Sequence, residues 1–151
     1  MVDVLTPEQR RHNMSRIKGK DTKPELLLRR GLHARGLRYR LHDRALPGRP
    51  DLVFPKYKTA VFVHGCFWHA HGCNLSKLPS TRQIFWSSKL AANVERDRRA
   101  INELVSAGWH VLVIWECALR GPTRLGAEQV VEQCECSIRT AVPGLVEIAG
   151  T

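Results

Sequence analysis

The sequence predicts an α/β fold, a mixed sandwich with one central sheet and helices on both of its faces. Three observations carry that expectation. Short β-rich runs stand at residues 51–54 and 59–63, a long helix-patterned segment covers 81–107, and a nearly continuous apolar run, WHVLVIW, follows at 109–115. An apolar residue at almost every position marks a strand covered on both faces, which requires helices on two sides of the sheet.

In order along the chain, Thr6, Pro7 and Glu8 read as a helix start: a capping hydroxyl, a proline in the first turn and an acid at the positive end of the dipole. The stretch that follows, to about residue 20, is strongly basic, with Met14 and Ile17 as isolated apolar residues. It has no wide apolar stripe to bury and is expected to be a helical arm; a solvated, frayed terminus would have the same composition. Asp21 or Thr22 caps a second helix with Pro24 in its first turn and Gly36 as its stop. Leu26, Leu27, Leu28, Leu32 and Leu37 give that helix its packed side. Residues 37–41 alternate as a strand, and Pro47-Gly48-Arg49-Pro50 and Pro55 punctuate the strands that follow. Residues 64–80 have no regular period and suggest a loop held by something other than a core. After the long helix, broken at Gly108, and the apolar strand, residues 124–140 form a closing helix with Val130, Val131, Cys134 and Ile138 on one face. The element order is therefore α–α–β–β–β–α–β–α.

With 151 residues the chain suits one domain: an arm (1–20), a core (21–121) and a closing helix with tail (122–151). Its charge balance is unusual. Net charge is +10 and the pI about 10.0, distributed as +7 over residues 1–40, +5 over 41–120 and −2 over 121–151. A basic N-terminal half suits a polyanionic partner, although a merely solvated basic face has the same charge. No run resembles a signal peptide or approaches the roughly 20 apolar residues of a membrane span, so a cytoplasmic protein without a membrane partner is expected. The five cysteines then read as ligands or core residues rather than disulfides.

The richest window is VHGCFWHAHGC at 63–73, which holds Cys66, Cys73, His64, His69 and His71, with Cys117 just beyond the apolar strand. A structural Zn2+ takes four soft or borderline ligands in a closed tetrahedron. Cys66, His71, Cys73 and Cys117 supply Cys3His, clamping an irregular loop to the sheet. A lone cysteine in such a loop would read as a buried thiol, but this density of ligands reads as a metal site. Cys134 and Cys136, two apart on a helix and without neighbouring histidines, are expected to be a core and a surface residue.

A second constellation suits hydrolysis. Asp51 opens a strand after a rigid turn, where a carboxylate can hold a hard cation. His64 ends the next strand and would lie beside Asp51 if the two strands pair. His69 is left over once the zinc has its ligands, and Asp97 and Glu25 are further acids within reach. Phosphodiester hydrolysis needs a cation clamp, a way to activate water and a proton for the leaving oxygen; Asp51 with backbone carbonyls supplies the first and two imidazoles the others. Without the two spare histidines, Asp51 would be read as a turn carboxylate capping amides. Phe67, Trp68 and Trp86 either cover a small core or enter a base stack, and Lys89 and Asn93 share the helix side of Trp86 and can donate to bases or phosphates. Trp109 and Trp115 read as core.

PGRPD, HGCFWH with its following histidine and cysteine, NVERDRR and WECALRG resemble the very short patch repair endonucleases (Vsr), over roughly residues 8–125. The resemblance implies a restriction-endonuclease-like fold and a nick on the 5′ side of the T in T:G mismatches left by 5-methylcytosine deamination. It implies Asp51 as a Mg2+ ligand with the main-chain carbonyl of Val63, and Glu25 at the water around that ion. His69 would be the water-activating base and His64, oriented by Asp97, a second catalytic histidine. Phe67, Trp68 and Trp86 would be an intercalating wedge, and the arm with Met14 would lie across the minor groove. Mismatched double-stranded DNA is the expected partner of a monomeric chain, with mismatch-repair proteins as candidate further partners. Four positions depart from expectation. Val63 replaces the family's threonine, keeping the carbonyl but not the hydroxyl; Ala70 precedes His71 where the family has another histidine; and Phe62 and His64 stand where the wider nuclease superfamily has an acid and a lysine. Two other readings fit the same residues: a non-catalytic zinc-stabilised DNA-binding module, and a restriction-type nuclease without mismatch preference.

Overall fold

A computed structural model describes residues 22–151 of the chain. The basic arm, including Met14, and the alternative cap Asp21 lie outside the described residues. Three helices and five strands follow: α1 (Lys23–Ala34), β1 (Arg40–Leu41), β2 (Leu52–Phe54), β3 (Thr59–His64), α2 (Gln83–Ser106), β4 (His110–Trp115), α3 (Ala127–Arg139) and β5 (Gly144–Ile148). The strands form one mixed sheet in sequence order. The β1–β2 and β2–β3 pairs are antiparallel, whereas β3–β4 and β4–β5 are parallel. The expected α/β sandwich with a mixed central sheet is therefore present.

Two apolar clusters cover the two faces of the sheet. On one, Leu28 and Leu32 of α1 and Val130, Val131, Cys134 and Ile138 of α3 meet Phe54, Val61, Leu112 and Ile114. On the other, Leu104 of α2 meets Ala60, Phe62, Val111, Val113 and Trp115. Alternate residues of β3 and β4 thus serve opposite layers, which explains the unbroken apolar run of β4. Truncating a leucine at the centre of either layer would cost about 2–5 kcal/mol.

Several boundaries differ from the sequence reading. Thr22 is the cap of α1, its Oγ1 accepting from the Glu25 amide at 3.4 Å, but the buried face of that helix is Glu25, Leu28 and Leu32, while Leu27 is exposed. The helix buries a carboxylate where the sequence offered a leucine. Residues 37–41 pair only at Arg40 and Leu41. Cys134 is buried and Cys136 exposed, as expected. Trp115 belongs to the core, whereas Trp109 only packs against it half-buried. The tail holds a strand that the sequence reading omitted: β5 extends the sheet beyond β4. Among the described residues no helix is long and apolar enough to cross a membrane.

Two features of this fold place the site. The turn Pro47-Gly48-Arg49-Pro50 lies against α2, with Gly48 at φ +74° and so close to Ala100 that a Cβ would come within 2.7 Å of the alanine methyl; only glycine fits there. Along α2, residues 86, 90, 93, 97, 100 and 104 recur at three and four and share one stripe. That stripe is apolar where it crosses the sheet and becomes polar, then aromatic, as it passes the carboxyl end of β3.

Candidate functional site

The functional side chains gather at the carboxyl ends of β3 and β4, where His64 and Trp115 are register partners. This is the end of a parallel pair at which open α/β sheets bind ligands. An open cleft of about 810 Å³ lies there, lined among others by Val63, His64, Phe67, Trp68, His69, Lys89, Asn93, Arg96, Glu116 and Arg120. Lys89, Arg96 and Arg120 give it a cationic lining.

Cys66 lies two residues beyond β3 and Cys117 two beyond β4, so a cluster containing both ties neighbouring strand ends together. With His71 and Cys73 they form a group whose donor atoms all lie within 4.8 Å of one another. His71 Nδ1 is 3.6 Å from Cys66 Sγ and 3.5 Å from Cys117 Sγ. A tetrahedral Zn2+ with S and N ligands at about 2.3 and 2.0 Å separates sulfur from nitrogen by about 3.5 Å. The sulfurs also accept main-chain N–H groups, Cys66 Sγ from Cys117, Cys73 Sγ from Leu75 and Cys117 Sγ from Gly150, a pattern suited to thiolates. The donor set fits zinc in both spacing and chemistry.

Around this cluster the catalytic candidates form two groups. Asp51 Oδ2 accepts the Val63 N–H at 2.7 Å. The N–H and C=O of one strand residue point to the same side, so the Val63 carbonyl faces the Asp51 side of β3. Glu25 and His42 complete this group, with Arg29 Nη1 3.0 Å from Glu25 Oε2. Burial, reinforced by the neighbouring Glu25 carboxylate, pushes the Asp51 carboxyl up to about 7. Two crowded, poorly solvated carboxyl groups are the electrostatic signature of a place where a cation is welcome.

The second group lies on the α2 side of β3. His64 and His69 stack with centroids 3.8 Å apart and planes 3° from parallel. His69 Nδ1 is 2.5 Å from Asp97 Oδ2. The expectation that Asp97 orients His64 is corrected here: the aspartate's direct hydrogen bond goes to His69. His64 is buried, its Nδ1 has no hydrogen-bond partner, and burial followed by the charge of His69 pushes it down to about 3. Asp51 and His64 come from paired strands, as expected. The Asp51 carboxylate meets the Val63 main-chain N–H, whereas the His64 ring packs against Phe62, His69 and Trp115.

Phe67, Trp68 and Trp86 form a half-buried trio with centroids 5.1–5.8 Å apart, the first two lining the cleft. Asn93 Nδ2 donates to the Trp68 carbonyl at 2.9 Å and its Oδ1 accepts from Arg96, so this asparagine braces the aromatic loop. Lys89 is exposed on the same wall. Four contributors were not singled out from sequence. Trp115 stacks on His71 at 4.1 Å and meets His64 edge-on at 5.2 Å. Glu147 Oε1 accepts from Trp115 Nε1 at 3.1 Å. Glu116 Oε1 accepts the Cys66 N–H at 3.2 Å. The fourth is His42.

A family model described as DNA mismatch endonuclease Vsr matches residues 2–75. The chain is 49% identical over 119 residues to the type II nicking enzyme V.XorIIP of Xanthomonas oryzae pv. oryzae, covering 79% of this chain and 88% of the relative. It is 48% identical over 135 residues to the DNA mismatch endonuclease Vsr of Escherichia coli, covering 89% and 86%, and 45% identical over 120 residues to the type II nicking enzyme V.NmeAIP of Neisseria meningitidis, covering 80% and 86%. A mixed sheet with carboxylates and paired histidines at a cationic cleft, in the company of these relatives, defines a DNA-nicking endonuclease. The chain belongs to the DNA mismatch endonuclease Vsr family.

Proposed function

We propose that this endonuclease nicks double-stranded DNA on the 5′ side of the T in T:G mismatches arising from 5-methylcytosine deamination. Asp51 and the Val63 carbonyl would hold a catalytic Mg2+, and Cys66, His71, Cys73 and Cys117 a structural Zn2+. The observation that carries the reading is the His69–Asp97 pair stacked on a neutral His64 at a cationic cleft. Bound at Asp51, the Mg2+ supplies Lewis acidity toward the scissile phosphate and its departing oxygen. The remaining work belongs to side chains. His69, its Nδ1 proton fixed on Asp97, keeps Nε2 as the acceptor for a proton of the attacking water, and the aspartate stabilises the imidazolium that results. His64, uncharged across the neutral range, lies against that ring and excludes water from one of its faces. Glu25 adds negative charge beside Asp51 and favours the cation.

The Phe67–Trp68–Trp86 trio would insert as a wedge. Unstacking costs a few kcal/mol, least where pairing is already poor, so a wobble pair is the easier target. Lys89 and Asn93 would contact the DNA beside the wedge, and Met14 would reach the minor groove. The reading includes a cytoplasmic, nucleoid-associated monomer with mismatch-repair proteins as further partners.

Strand-specific nicking of T:G and T:A duplexes of identical sequence, with and without Mg2+, tests it. Nicking is expected only of the T:G strand, only with Mg2+, by protein carrying about one zinc per chain, and is expected to vanish in Asp51→Ala. Equal cutting of both duplexes would leave a nicking enzyme without mismatch preference.

A further inference from the structure

The aromatic contacts of the trio do not end at Trp86. Phe85, the preceding residue of α2, meets Trp86 edge-on with centroids 5.2 Å apart. The Arg82 guanidinium in turn lies over the Phe85 ring, its central carbon 4.3 Å from the centroid. Both side chains are at the surface, with Phe85 44% exposed. Arg82 stands immediately before α2 with a left-handed backbone, φ +53°, which long side chains seldom adopt. Its carbonyl accepts the Trp86 N–H at 3.1 Å. A backbone hydrogen bond and a chain of ring contacts thus tie this arginine to the trio.

The charges of α2 divide into two halves. In the second half the cations are paired within the chain: Glu95 accepts from Arg98 at 2.6 and 3.0 Å and from Arg99 at 3.3 Å. Before Glu95, residues 65–94 hold Lys77, Arg82 and Lys89 and no aspartate or glutamate. Arg82 has a ring for a partner where Arg98 and Arg99 have a carboxylate. A guanidinium stacked on an aromatic face keeps its N–H edge free, and that planar edge matches a phosphate through two parallel hydrogen bonds. Stacking also restricts a long side chain in advance, so less freedom is lost when an anion binds. An acid-free stretch with an exposed, pre-oriented guanidinium suits a polyanion.

We propose that Arg82, held on Phe85, binds a backbone phosphate of duplex DNA beside the wedge and so fixes where along the duplex the trio enters. Contacts of this kind set register without reading sequence. The proposal rests on the reading that the trio meets DNA, because that brings the neighbouring turn of α2 to the flanking backbone.

The experiment is equilibrium binding of T:G and T:A duplexes across a salt series, without divalent cation so that the DNA stays uncut. Wild type is compared with Arg82→Gln, Arg82→Lys and Phe85→Leu, and with Arg98→Gln as a control for an exposed but internally paired cation on the same helix. Arg82→Gln is expected to shallow the salt dependence by about 0.9 for both duplexes and to weaken both about three- to tenfold, leaving their ratio unchanged. Arg82→Lys and Phe85→Leu should keep the slope, since the charge remains, and lose about two- to fivefold in affinity. Replacing single phosphates by methylphosphonates locates the contact: at one position the replacement should weaken binding by wild type but not by Arg82→Gln. A wild-type slope in Arg82→Gln, an equal loss in Arg98→Gln, or the lack of any such position overturns the proposal and makes Arg82 a solvated cation, with the wedge untouched. If wild type binds both duplexes equally while Arg82→Gln still shallows the slope, the phosphate contact stands and the wedge reading fails.

Discussion

The 2.5 Å contact between His69 Nδ1 and Asp97 Oδ2 divides the labour between two imidazoles that are otherwise stacked as near equals. In the proposed reaction the Asp97 contact leaves His69 Nε2 as the acceptor, whereas burial holds His64 neutral, so His69 is the ring placed to take a proton from water. His69→Ala is expected to abolish nicking while leaving mismatch binding largely intact, and Asp97→Asn to slow nicking by about 10²- to 10⁴-fold; single-turnover cleavage beside an equilibrium binding assay distinguishes these from lost affinity. A second residue-scale expectation concerns Cys134. Burial alone pushes its thiol from the ordinary 9.0 up to about 12. Between those values the unfolded chain releases a proton that the folded chain keeps, so the folded state binds more protons and stability falls as pH rises from about 9 toward 12. Denaturation of Cys134→Ala at pH 8 and pH 10.5 should show a weaker alkaline loss than wild type; an identical loss would assign it to other groups. Asp51, His64, His69 and the four Cys/His cluster residues were legible because each stands in a short window of chemically unusual composition. His42 was not, because a single histidine after a two-residue strand has no spacing that marks it, and only the fold brings it against two carboxylates.

At the scale of elements, β5 and the cluster loop depend on one another through Trp115. The indole stacks on His71, meets His64 with its edge, and donates Nε1 to Glu147 of β5. The edge strand thus holds the orientation of a ring that touches both the Cys/His cluster and the histidine pair. The sequence reading stopped at the closing helix because residues 144–148 lack an alternating pattern: Leu145 and Val146 are both exposed and only Ile148 is buried. Such a strand is specified by its backbone ladder to β4, which composition does not reveal. The long helix and the β4 run were legible for the opposite reason, since burial imposed a strong period on one and left no polar position on the other. Glu147→Ala removes a half-buried hydrogen bond worth about 1 kcal/mol, which lowers Tm by roughly 2–4 °C in a chain of this size. Calorimetry measures the shift, and the accompanying expectation is slower nicking at unchanged DNA affinity. A normal Tm with normal turnover would make the Trp115–Glu147 contact incidental.

Over the whole molecule, charge and aromatic surface perform separable tasks, and salt is the variable that parts them. The chain carries +10, and Lys89, Arg96 and Arg120 line the cleft. Contacts of these groups with phosphates release counterions, so the logarithm of affinity should fall linearly with the logarithm of salt, at about 0.9 per phosphate neutralised, for any duplex. The Phe67–Trp68–Trp86 trio carries no charge, and the preference for a weak pair proposed for it would come from the smaller cost of unstacking. Affinities for T:G and T:A duplexes should therefore fall in parallel as salt rises, with their ratio nearly constant. Arg96→Ala or Arg120→Ala should shallow both slopes by about 1 without changing the ratio, and Trp68→Ala should lower the ratio without changing the slopes. Equilibrium binding of both duplexes across a salt series reads all of these quantities. A ratio that collapses with rising salt would mean that discrimination is electrostatic, made by side chains reading the altered groove of the wobble pair, and would remove the wedge from the recognition step.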